Sequence, residues 1–427
     1  MAQKSLTPQD AYSIINLIAR EATGQNGSIQ AVNSSTFVSV GETLMSMDQD
    51  TLYNALSRIL GRTFMAVRPY DAPLKIINSI NSGLFTDRMR KISFYAKDSQ
   101  ASGAFNTNLY TQHATGLDNG VNRIYNGSIS PIGGLGNMYE QNLGMPLEIN
   151  FSGRDVWDDS LTIPEVQAQQ AFRGEGEFLS FMNGIMTEKG NDIEQQKEAF
   201  NRMTILNFIA GVFDLNQTGS KVDLKAAYNT KFGTSYTSAQ LLSTYKTSFL
   251  QFFVSKVKTD MEFLKYRSKA HHVPFTKTVD GVDYSILRHT PKDRQRLLIS
   301  APFIIDAEAS VFSEIFHPNY LDLEGQAYEK VAYWQNYNNP TAIDVTPAIP
   351  KLTDPTEQTA GSRVQLDNVL GCLYDADAML VDYQLDSSAS TPLEARKMYR
   401  NLWWHFAKNS INDFSENAIV YYLGNDV

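Results

Sequence analysis

The chain has 427 residues, of which 42% are hydrophobic, so it is long enough for two or three domains with sizeable cores. Its single cysteine, Cys372, excludes an intrachain disulfide and gives no sign of an oxidising compartment. The N-terminal residues lack the apolar core of a signal peptide, and no run of about 18 apolar residues occurs. We therefore expect a soluble protein that is made in the cytosol.

The net charge of −9 is unevenly distributed along the chain. Residues 1–100 carry a net charge of +2, residues 101–300 are neutral, and residues 301–427 carry −11. An acidic third of this kind is typical of a solvated surface, and it could also polarise an assembly so that the N-terminal part faces anions. Counted in these thirds, the charges form no dense basic patch of the kind that sequence-reading nucleic-acid domains have.

The first 85 residues read as an arm with helices attached. Apolar spacing predicts an amphipathic helix over residues 7–20, with Leu17 among the residues on its apolar side. A segment rich in Gly, Asn, Ser and Thr, from Thr23 to Thr36, predicts an extended arm. A capping aspartate, an apolar face and a terminal Gly61 predict a second helix over residues 48–61.

Residues 92–152 differ from their surroundings because Gly, Asn, Ser and Thr dominate and apolar residues come singly. Apolar residues at both ends of this range predict two strands, Ile92 to Phe94 and Leu147 to Phe151. An isolated two-stranded excursion is marginal in water, so we expect it to lie on another subunit. The candidate contact residues are Ile92, Phe94, Tyr95, Leu147, Ile149 and Phe151.

Helical periodicity returns after Pro164. It predicts two consecutive helices between Pro164 and Phe213, separated at Gly190-Asn191-Asp192, and a third helix from about Ser238 to Tyr266.

The most strongly patterned run is Arg294 to Gly325. Leu297 to Ile299 predicts a buried strand, which continues as an apolar run after Pro302. Asp306 and Glu308 then stand at the head of a predicted helix, where carboxylates suit the positive end of the helix dipole.

The remaining residues predict mainly strands. A connection rich in Pro and Thr runs from Asn339 to Gly361 and is followed by predicted strands around Val364 to Leu373 and Met379 to Tyr383. Two aromatic strand-like runs, Met398 to Phe406 and Ala418 to Leu423, end the chain. Because strands and helices are mixed without regular alternation, the predicted fold class is α+β.

Several groups of residues invite a chemical interpretation, and each has a simpler structural one. His271 and His272 are adjacent and point apart, so they do not chelate one ion without other ligands. Asp375, Asp377 and Asp382 could hold a hard cation, but turns between strands use the same residues. Cys372, inside an apolar run, is typical of a core residue.

Trp403 and Trp404 could form a carbohydrate platform, but a terminal strand packs the same residues. The glycine-rich runs lack the strand, helix and lysine of a phosphate-binding loop. The sequence therefore predicts no catalytic residue, no metal ligand and no cofactor. An enzyme, for instance one that acts on carbohydrate with carboxylates of residues 301–386, remains the alternative from another class.

The order of segments resembles the major capsid proteins of tailed bacteriophages with the Hong Kong 97-type fold. The resemblance lies in an N-terminal arm, a Gly/Asn-rich loop closed by MPLEINF, a helix that contains FLSFMNGIM, the run RLLISAPFIIDAEASVFSEIF and the aromatic C-terminal strands. It covers roughly residues 70–423 in segment order. More narrowly, the chain is similar to the capsid proteins of small, short-tailed podoviruses of the phi-29 kind.

The resemblance implies an N-terminal arm with lead-in helices, an extended E-loop, a spine helix with part of a peripheral domain, an axial domain, and strands that return to the peripheral domain. These correspond to residues 1–85, 86–153, 154–214, 215–384 and 385–427, respectively.

It also implies hexamers and pentamers in an icosahedral shell, a scaffolding protein and a portal during assembly, non-specific contact with packaged double-stranded DNA, and no membrane. DNA contact, if it occurs, is expected through Arg and Lys of the N-terminal hundred residues. A portal or tail protein remains an alternative within the virion.

Overall fold

The computed structural model describes residues 8–24, 30–46, 52–59, 74, 77–80, 88–97, 145–152, 155–217, 219–279, 282–305, 327–351 and 354–424. The chain forms two compact units. One contains Met1–Arg90, Asn150–Val273 and Arg288–Val427, and the other contains Lys91–Ile149 and Pro274–Leu287. Within the described ranges, no helix is both long enough and apolar enough to cross a membrane.

The helices of the described ranges vary from one turn to eleven. In chain order they are α1 (Pro8–Thr23), α2 (Ser34–Ser46), α3 (52–59), α4 (Glu165–Ala171), α5 (Glu175–Asp214), α6 (Leu224–Phe232), α7 (Ser238–Leu242), α8 (Lys246–Phe263) and α9 (301–305).

The strands are short except near the C-terminus. In chain order they are β1 (Asn78–Ile80), β2 (Arg88–Phe94), β3 (Ala96–Lys97), β4 (Pro146–Ser152), β5 (Asp155–Pro164), β6 (Lys221–Asp223), β7 (Lys277–Val279), β8 (Val282–Ser285), β9 (Gln295–Ser300), β10 (Ala327–Val331), β11 (Ile343–Val345), β12 (Ala348–Lys351), β13 (Asp354–Ala360), β14 (Val364–Leu366), β15 (Val369–Asp375), β16 (Met379–Ser390), β17 (Tyr399–Asn412) and β18 (Ala418–Tyr422).

These strands form two larger sheets and several small ones. The four-stranded sheet has the order β1-β16-β17-β5, and the five-stranded sheet has the order β10-β9-β15-β18-β6. Strands β11 and β14, β12 and β13, and β2 and β4 form pairs, and β3-β8-β7 is a three-stranded sheet. The predicted α+β class is therefore confirmed, with parallel and antiparallel pairs in both larger sheets.

A first hydrophobic core joins α1, α2, α3 and the N-terminal half of α5 to the four-stranded sheet. At its centre Trp404 of β17 is fully buried, and its indole Nε1 donates a hydrogen bond to the Ser57 carbonyl oxygen at 2.8 Å. Trp157 of β5 stacks on Phe406 with ring centroids 4.4 Å apart. The Trp404 indole therefore buries its large apolar surface without leaving its N–H unpaired.

A second core joins α6, α7 and α8 to the five-stranded sheet. Every residue of β15 is buried, because this strand lies between β9 and β18. At Gly371 a Cβ atom would stand 2.9 Å from the Leu298 carbonyl oxygen, so a side chain there would push the neighbouring strand away. Phe253 meets Phe303 edge to face at 5.3 Å and thereby closes the core under α8.

Helix α1 confirms the first predicted helix, but Leu17 is 50% exposed and does not belong to its buried face. The arm predicted from Thr23 to Thr36 is wrong at its C-terminal end, because α2 begins there. The side chain of Asn33 accepts a hydrogen bond from the Thr36 amide at 2.9 Å and caps the helix. Buried Phe37 and Leu44 anchor α2, and their seven-residue spacing is a helical signal.

The predicted break at Gly190 does not occur, since α5 is one continuous helix of 40 residues. A glycine inside a helix costs only about 1 kcal/mol relative to alanine, and tertiary contacts on both sides offset this cost. Lys189 pairs with Asp159 of β5 at 3.2 Å and with Asp192 at 3.4 Å, which ties this part of α5 to the four-stranded sheet.

The third predicted helix is interrupted, because residues 243–245 separate α7 from α8. Thr237 and Gln240 form a capping box that starts α7, and Tyr245 stacks on Tyr236 with ring centroids 3.9 Å apart. The break between α7 and α8 is therefore accompanied by contacts that sequence periodicity does not reveal.

In the central run, β9 confirms the strand predicted at Leu297 to Ile299. The apolar residues after it are not extended as predicted, because residues 301–305 are helical and Pro302 occupies the first turn, where proline is tolerated. The predicted helix start at Asp306 and Glu308 lies outside the described residues. The predicted connection from Asn339 to Gly361 contains β11, β12 and β13.

The C-terminal strands predicted around Val364 to Leu373, Met379 to Tyr383, Met398 to Phe406 and Ala418 to Leu423 are confirmed as β14 to β18.

Candidate inter-subunit contact site

The two strands predicted at the ends of residues 92–152 are present, as β2 and β4, and they pair with each other. Just beyond them the Tyr95 amide donates a hydrogen bond to the Met145 carbonyl oxygen at 2.9 Å. The sequence reasons for these strands are β-branched and aromatic residues in β2 and strict alternation in β4, Leu147-Glu148-Ile149-Asn150-Phe151. The pairing thus brings together residues that are about 50 positions apart in the sequence.

The predicted contact residues divide between two environments. Leu147 and Ile149 are buried, whereas Ile92 is 51% exposed and Phe94 is 62% exposed. Tyr95 and Phe151 are half-buried. Of the six residues, the structure therefore leaves Ile92 and Phe94 as those that offer most apolar surface to a partner.

Strand β2 presents its faces in the reverse of the usual arrangement. Its apolar Ile92 and Phe94 point to solvent, while Ser93 between them is buried. Since successive side chains of a strand point to opposite faces, Ile92 and Phe94 lie on the same exposed face. Neighbouring apolar side chains on one exposed face are typical of a surface that something else covers.

The electrostatics of this site suit contact and not proton chemistry. Burial raises the pKa of the Tyr95 hydroxyl, which stays neutral at physiological pH. Strand β2 carries Arg88, Arg90 and Lys91, and β4 carries Glu148; Arg90 and Glu148 are exposed. Apolar side chains that are flanked by charged ones are typical of protein–protein interfaces.

The candidate chemical groups occupy structural positions. The Nδ1 atom of His271 lies 2.7 Å from the Gly219 carbonyl oxygen, and Nδ1 of His272 lies 3.1 Å from Oδ1 of Asn417. The Nδ1 atom of each histidine thus faces a protein group. Across the part of the chain that the structure describes, no three His, Cys, Asp or Glu side chains are grouped as metal ligands.

The three aspartates proposed for a hard cation are not brought together as one ligand set. Asp375 is buried and accepts a hydrogen bond from the Asp377 amide at 3.0 Å, as in a turn, and both carboxylates pair with Arg294. Asp382 lies on β16, opposite Asn409 of β17. The turn interpretation explains Asp375 and Asp377 without an ion.

Two further candidates for chemistry are core residues. Cys372 is fully buried on β15, and burial raises the pKa of its thiol far above the usual range, so no thiolate is available for attack. Trp404 is buried in the first core and offers no stacking face to a sugar.

A groove that the sequence patterns did not predict lies beside α5. Its volume is about 1240 Å³, and one wall is α5 while the other belongs to residues 330–348. The guanidinium of Arg202 stacks on the Tyr333 ring at 3.8 Å, and Met203 is 52% exposed. The polar stripe along α5 indicates an exposed helix face. The position of residues 330–348 opposite that face, however, follows only from the tertiary structure.

No model of a protein family matches this chain, and no curated protein matches it.

Solved structures do match. The capsid structure of Staphylococcus phage Andhra matches with 9% sequence identity and a TM-score of 0.43, over 82% of this chain and 84% of that chain. The capsid structure of the cyanophage P-SCSP1u matches with 11% identity and a TM-score of 0.40, over 82% and 86%.

The mature capsid of bacteriophage PhiM1 matches with 8% identity and a TM-score of 0.40, over 84% and 89%. At TM-scores below 0.5, these likenesses assign no role to any residue of this chain. The solved structures to which this chain is similar are capsid structures of tailed phages.

Proposed function

We propose that this chain is a major capsid protein, which self-assembles into the icosahedral shell around the double-stranded DNA genome of a tailed phage. The narrower likeness to phi-29-like podoviruses stays a prediction. The chain acts by forming contacts and not by catalysis, and its place is the virion.

The observation that carries the proposal is the exposed apolar face of β2. A two-stranded sheet is marginally stable by itself, and β2 exposes an isoleucine and a phenylalanine side by side. A second copy of the chain that covers Ile92 and Phe94, by packing on this face or by adding a strand to the sheet, would remove this apolar surface from water. Self-assembly is therefore the role that suits this part of the molecule.

A stiff element in the first compact unit supports the same role. Helix α5, with 40 residues, is about 60 Å long at 1.5 Å per residue. The pairs Lys197–Glu194 and Arg202–Glu198, each at 2.8 Å, brace it along its surface. The N-terminal half of α5 belongs to the first core, and Phe208 in its C-terminal half stacks on Phe414 with ring centroids 5.3 Å apart. A long helix held at both ends suits a subunit that bears mechanical load in a shell.

On this proposal the segments take the roles that the resemblance implies. Residues 1–85 are the N-terminal arm and lead-in helices, 86–153 the E-loop, 154–214 the spine helix with part of the peripheral domain, 215–384 mostly the axial domain, and 385–427 the return to the peripheral domain. The partners are further copies in hexamers and pentamers, a scaffolding protein and a portal during assembly, and packaged DNA. Contacts around each ring are heterologous, and those across local twofold axes are isologous.

A portal or tail protein would self-associate as well, and stoichiometry distinguishes it. In an electron micrograph of the purified protein, a shell component gives closed particles, a portal gives dodecameric rings, and an enzyme gives small monomers. For the carbohydrate-active alternative, Trp404 is buried and only the half-buried Trp403 of the proposed pair would be left as a platform.

The test is a deletion of residues 100–145 that retains β2 and β4. The variant is expected to yield a soluble subunit that does not close shells, because it lacks most of the proposed E-loop, of which β2 and β4 are only the two ends. Circular dichroism of the subunit checks that the two larger sheets still form. Closed shells of normal size from the deletion variant would contradict the proposal.

A further inference from the structure

An exposed basic surface lies just after α8, in the first compact unit. Lys265, Arg267 and Lys269 follow the end of the helix, and all three are exposed. Ser268 exchanges backbone hydrogen bonds of 2.9 and 3.0 Å with Arg288, which brings the segment 288–292 alongside. We call the residues that this bridge brings together the basic ridge: Lys265, Tyr266, Arg267, Lys269, His289 and Lys292.

The charge of this region is opposite to that of the chain. Residues 256–273 and 288–296 together carry nine Lys and Arg residues against three Asp and Glu residues, a net charge of +6, whereas the whole chain has −9. The total for residues 101–300 is nevertheless zero, because the acidic residues of 101–255 cancel this local excess. A local surface of this sign attracts polyanions through the protein's own field.

Some of these charges are already paired. Lys265 lies 2.5 Å from Glu262, and Arg288 lies 3.3 Å from Glu416. Within the described residues, no carboxylate lies within 4 Å of the Arg267 guanidinium. The Lys265–Glu262 pair is exposed, so water and salt screen it and a phosphate can compete for the lysine.

We propose that the basic ridge binds the phosphate backbone of double-stranded DNA without regard to sequence. This rests on the proposed function, which supplies the packaged duplex as partner. A duplex carries one negative charge per 1.7 Å of its axis, so several cations on one ridge meet several phosphates at once. Tyr266, which is 71% exposed among them, adds a hydroxyl donor of the kind that contacts phosphate oxygens.

The composition of the ridge favours a phosphate partner over a second protein surface. Three of its four permanently charged residues are lysines, and lysine is depleted in the centres of protein–protein interfaces. Lys265, Arg267 and Lys269 stand within five residues, and although Phe263 and Tyr266 are exposed beside them, this density of like charge suits a polyanion better than a protein surface. The location differs from the N-terminal hundred residues, where the sequence led us to expect DNA contact.

The experiment uses the full-length unassembled subunit and a fluorescent duplex of 20 base pairs with random sequence. Its affinity is measured by anisotropy between 50 and 200 mM NaCl. In the triple variant Lys265→Gln, Arg267→Gln, Lys269→Gln, we expect the affinity at 100 mM to fall at least tenfold. We also expect the slope of log K against log salt to become shallower by about 2.7, or 0.9 for each lost phosphate contact.

The matched control is Arg173→Gln, Arg396→Gln, Lys397→Gln, which removes three exposed cations away from the ridge. It has the same net charge as the ridge variant and is expected to keep most of the affinity and the slope. Equal losses in both triple variants, or none in the ridge variant, would overturn the proposal. Unfolding curves that coincide with wild type show that both variants are folded.

Shell assembly separates this proposal from the function on which it rests. If ridge-variant subunits close normal shells but bind the duplex weakly, the ridge is the DNA surface. If they bind the duplex normally but no longer associate in sedimentation, the ridge faces another copy and the proposal is overturned. If wild-type subunits never form shells, the proposed function fails, while the duplex titration still reports on the ridge.

Discussion

Strand β17 is hydrogen-bonded on both sides, to β16 and to β5, whereas among the described residues β2 pairs with β4 only. On β17 the large side chains of Trp404 and Phe406 point into the core and are buried. On β2 the large side chains of Ile92 and Phe94 point to solvent and are exposed. Large apolar residues therefore lie in the core on one strand and on the surface on the other. Where the described residues cover an apolar strand, the strand stabilises the subunit, and where they leave it exposed, as at β2, we propose that another subunit covers it.

The largest effect is expected at β17. Trp404→Ala removes a fully buried indole and the hydrogen bond to the Ser57 carbonyl, so we expect a loss of about 3–5 kcal/mol in the free energy of unfolding. Urea titration of the unassembled subunit measures it. Phe94→Ala, at an exposed position, is the control and should stay within about 0.5 kcal/mol of wild type. If both changes destabilise the subunit equally, the distinction between the two strands is wrong.

The complementary change acts on assembly. Ile92→Ser combined with Phe94→Ser should leave the unfolding free energy of the subunit nearly unchanged but weaken each contact by about 2 kcal/mol, since burial of apolar side chains is lost. That corresponds to a roughly 30-fold rise in the concentration needed for shells. Light scattering against subunit concentration measures the rise. Leu17→Ser, at another exposed apolar position, serves as the control. Unaltered assembly of the double variant would show that β2 is not the contact.

A smaller effect is expected from two buried tyrosine hydroxyls of the five-stranded sheet, one of which has a hydrogen-bond partner. The Tyr421 hydroxyl donates to Oδ2 of Asp260 at 3.0 Å, so Tyr421→Phe leaves a buried carboxylate oxygen with one partner fewer and should cost about 1–3 kcal/mol. The buried Tyr374 hydroxyl has no hydrogen-bond partner within the described residues, so Tyr374→Phe should be neutral or slightly stabilising. Parallel urea titrations compare them, and a greater loss at Tyr374 would contradict the assignment.

The smallest effect appears with pH. Burial raises the pKa values of Tyr374, Tyr383 and Tyr421, whereas tyrosines in the unfolded chain have a pKa of about 10. The contribution of these groups is fully present below pH 10 and falls as the pH rises above it, because the unfolded chain then releases protons that the folded chain keeps.

We expect Tyr383→Phe to reduce the slope of unfolding free energy against pH above pH 10 by about 1.4 kcal/mol per unit. Urea titrations between pH 8 and 11 measure this slope. Tyr337→Phe, at a side chain that is 80% exposed, is the control and should leave the slope as it is. An unchanged slope in Tyr383→Phe would mean that this hydroxyl titrates alike in both states.

Much of the fold followed from local patterns. Apolar residues three and four apart predicted α1 and the core-facing side of α3, and short apolar or aromatic runs predicted β9, β15, β17 and β18. Side-chain periodicity is a property of the segment itself, so it survives without knowledge of the neighbours. The strands β2 and β4 were predicted on the same ground.

The errors arose where one segment's structure depends on another. The continuity of α5 across Gly190 rests on Lys189 and its distant partner Asp159, and the break before α8 accompanies a stack of Tyr245 on Tyr236. A single-sequence pattern contains the glycine and the tyrosines but not these contacts. Tertiary packing therefore outweighed local propensity at these points.

For the candidate sites, the sequence by itself determined which residue types were present: six apolar residues at the ends of a long polar loop, and no recognisable catalytic motif. Only the tertiary structure decided that Ile92 and Phe94 are exposed while Leu147 and Ile149 are buried. Likewise, it placed Arg288 beside Ser268 and so assembled the basic ridge from two segments. Exposure and proximity are properties of the whole packed chain, because each depends on what the other residues cover.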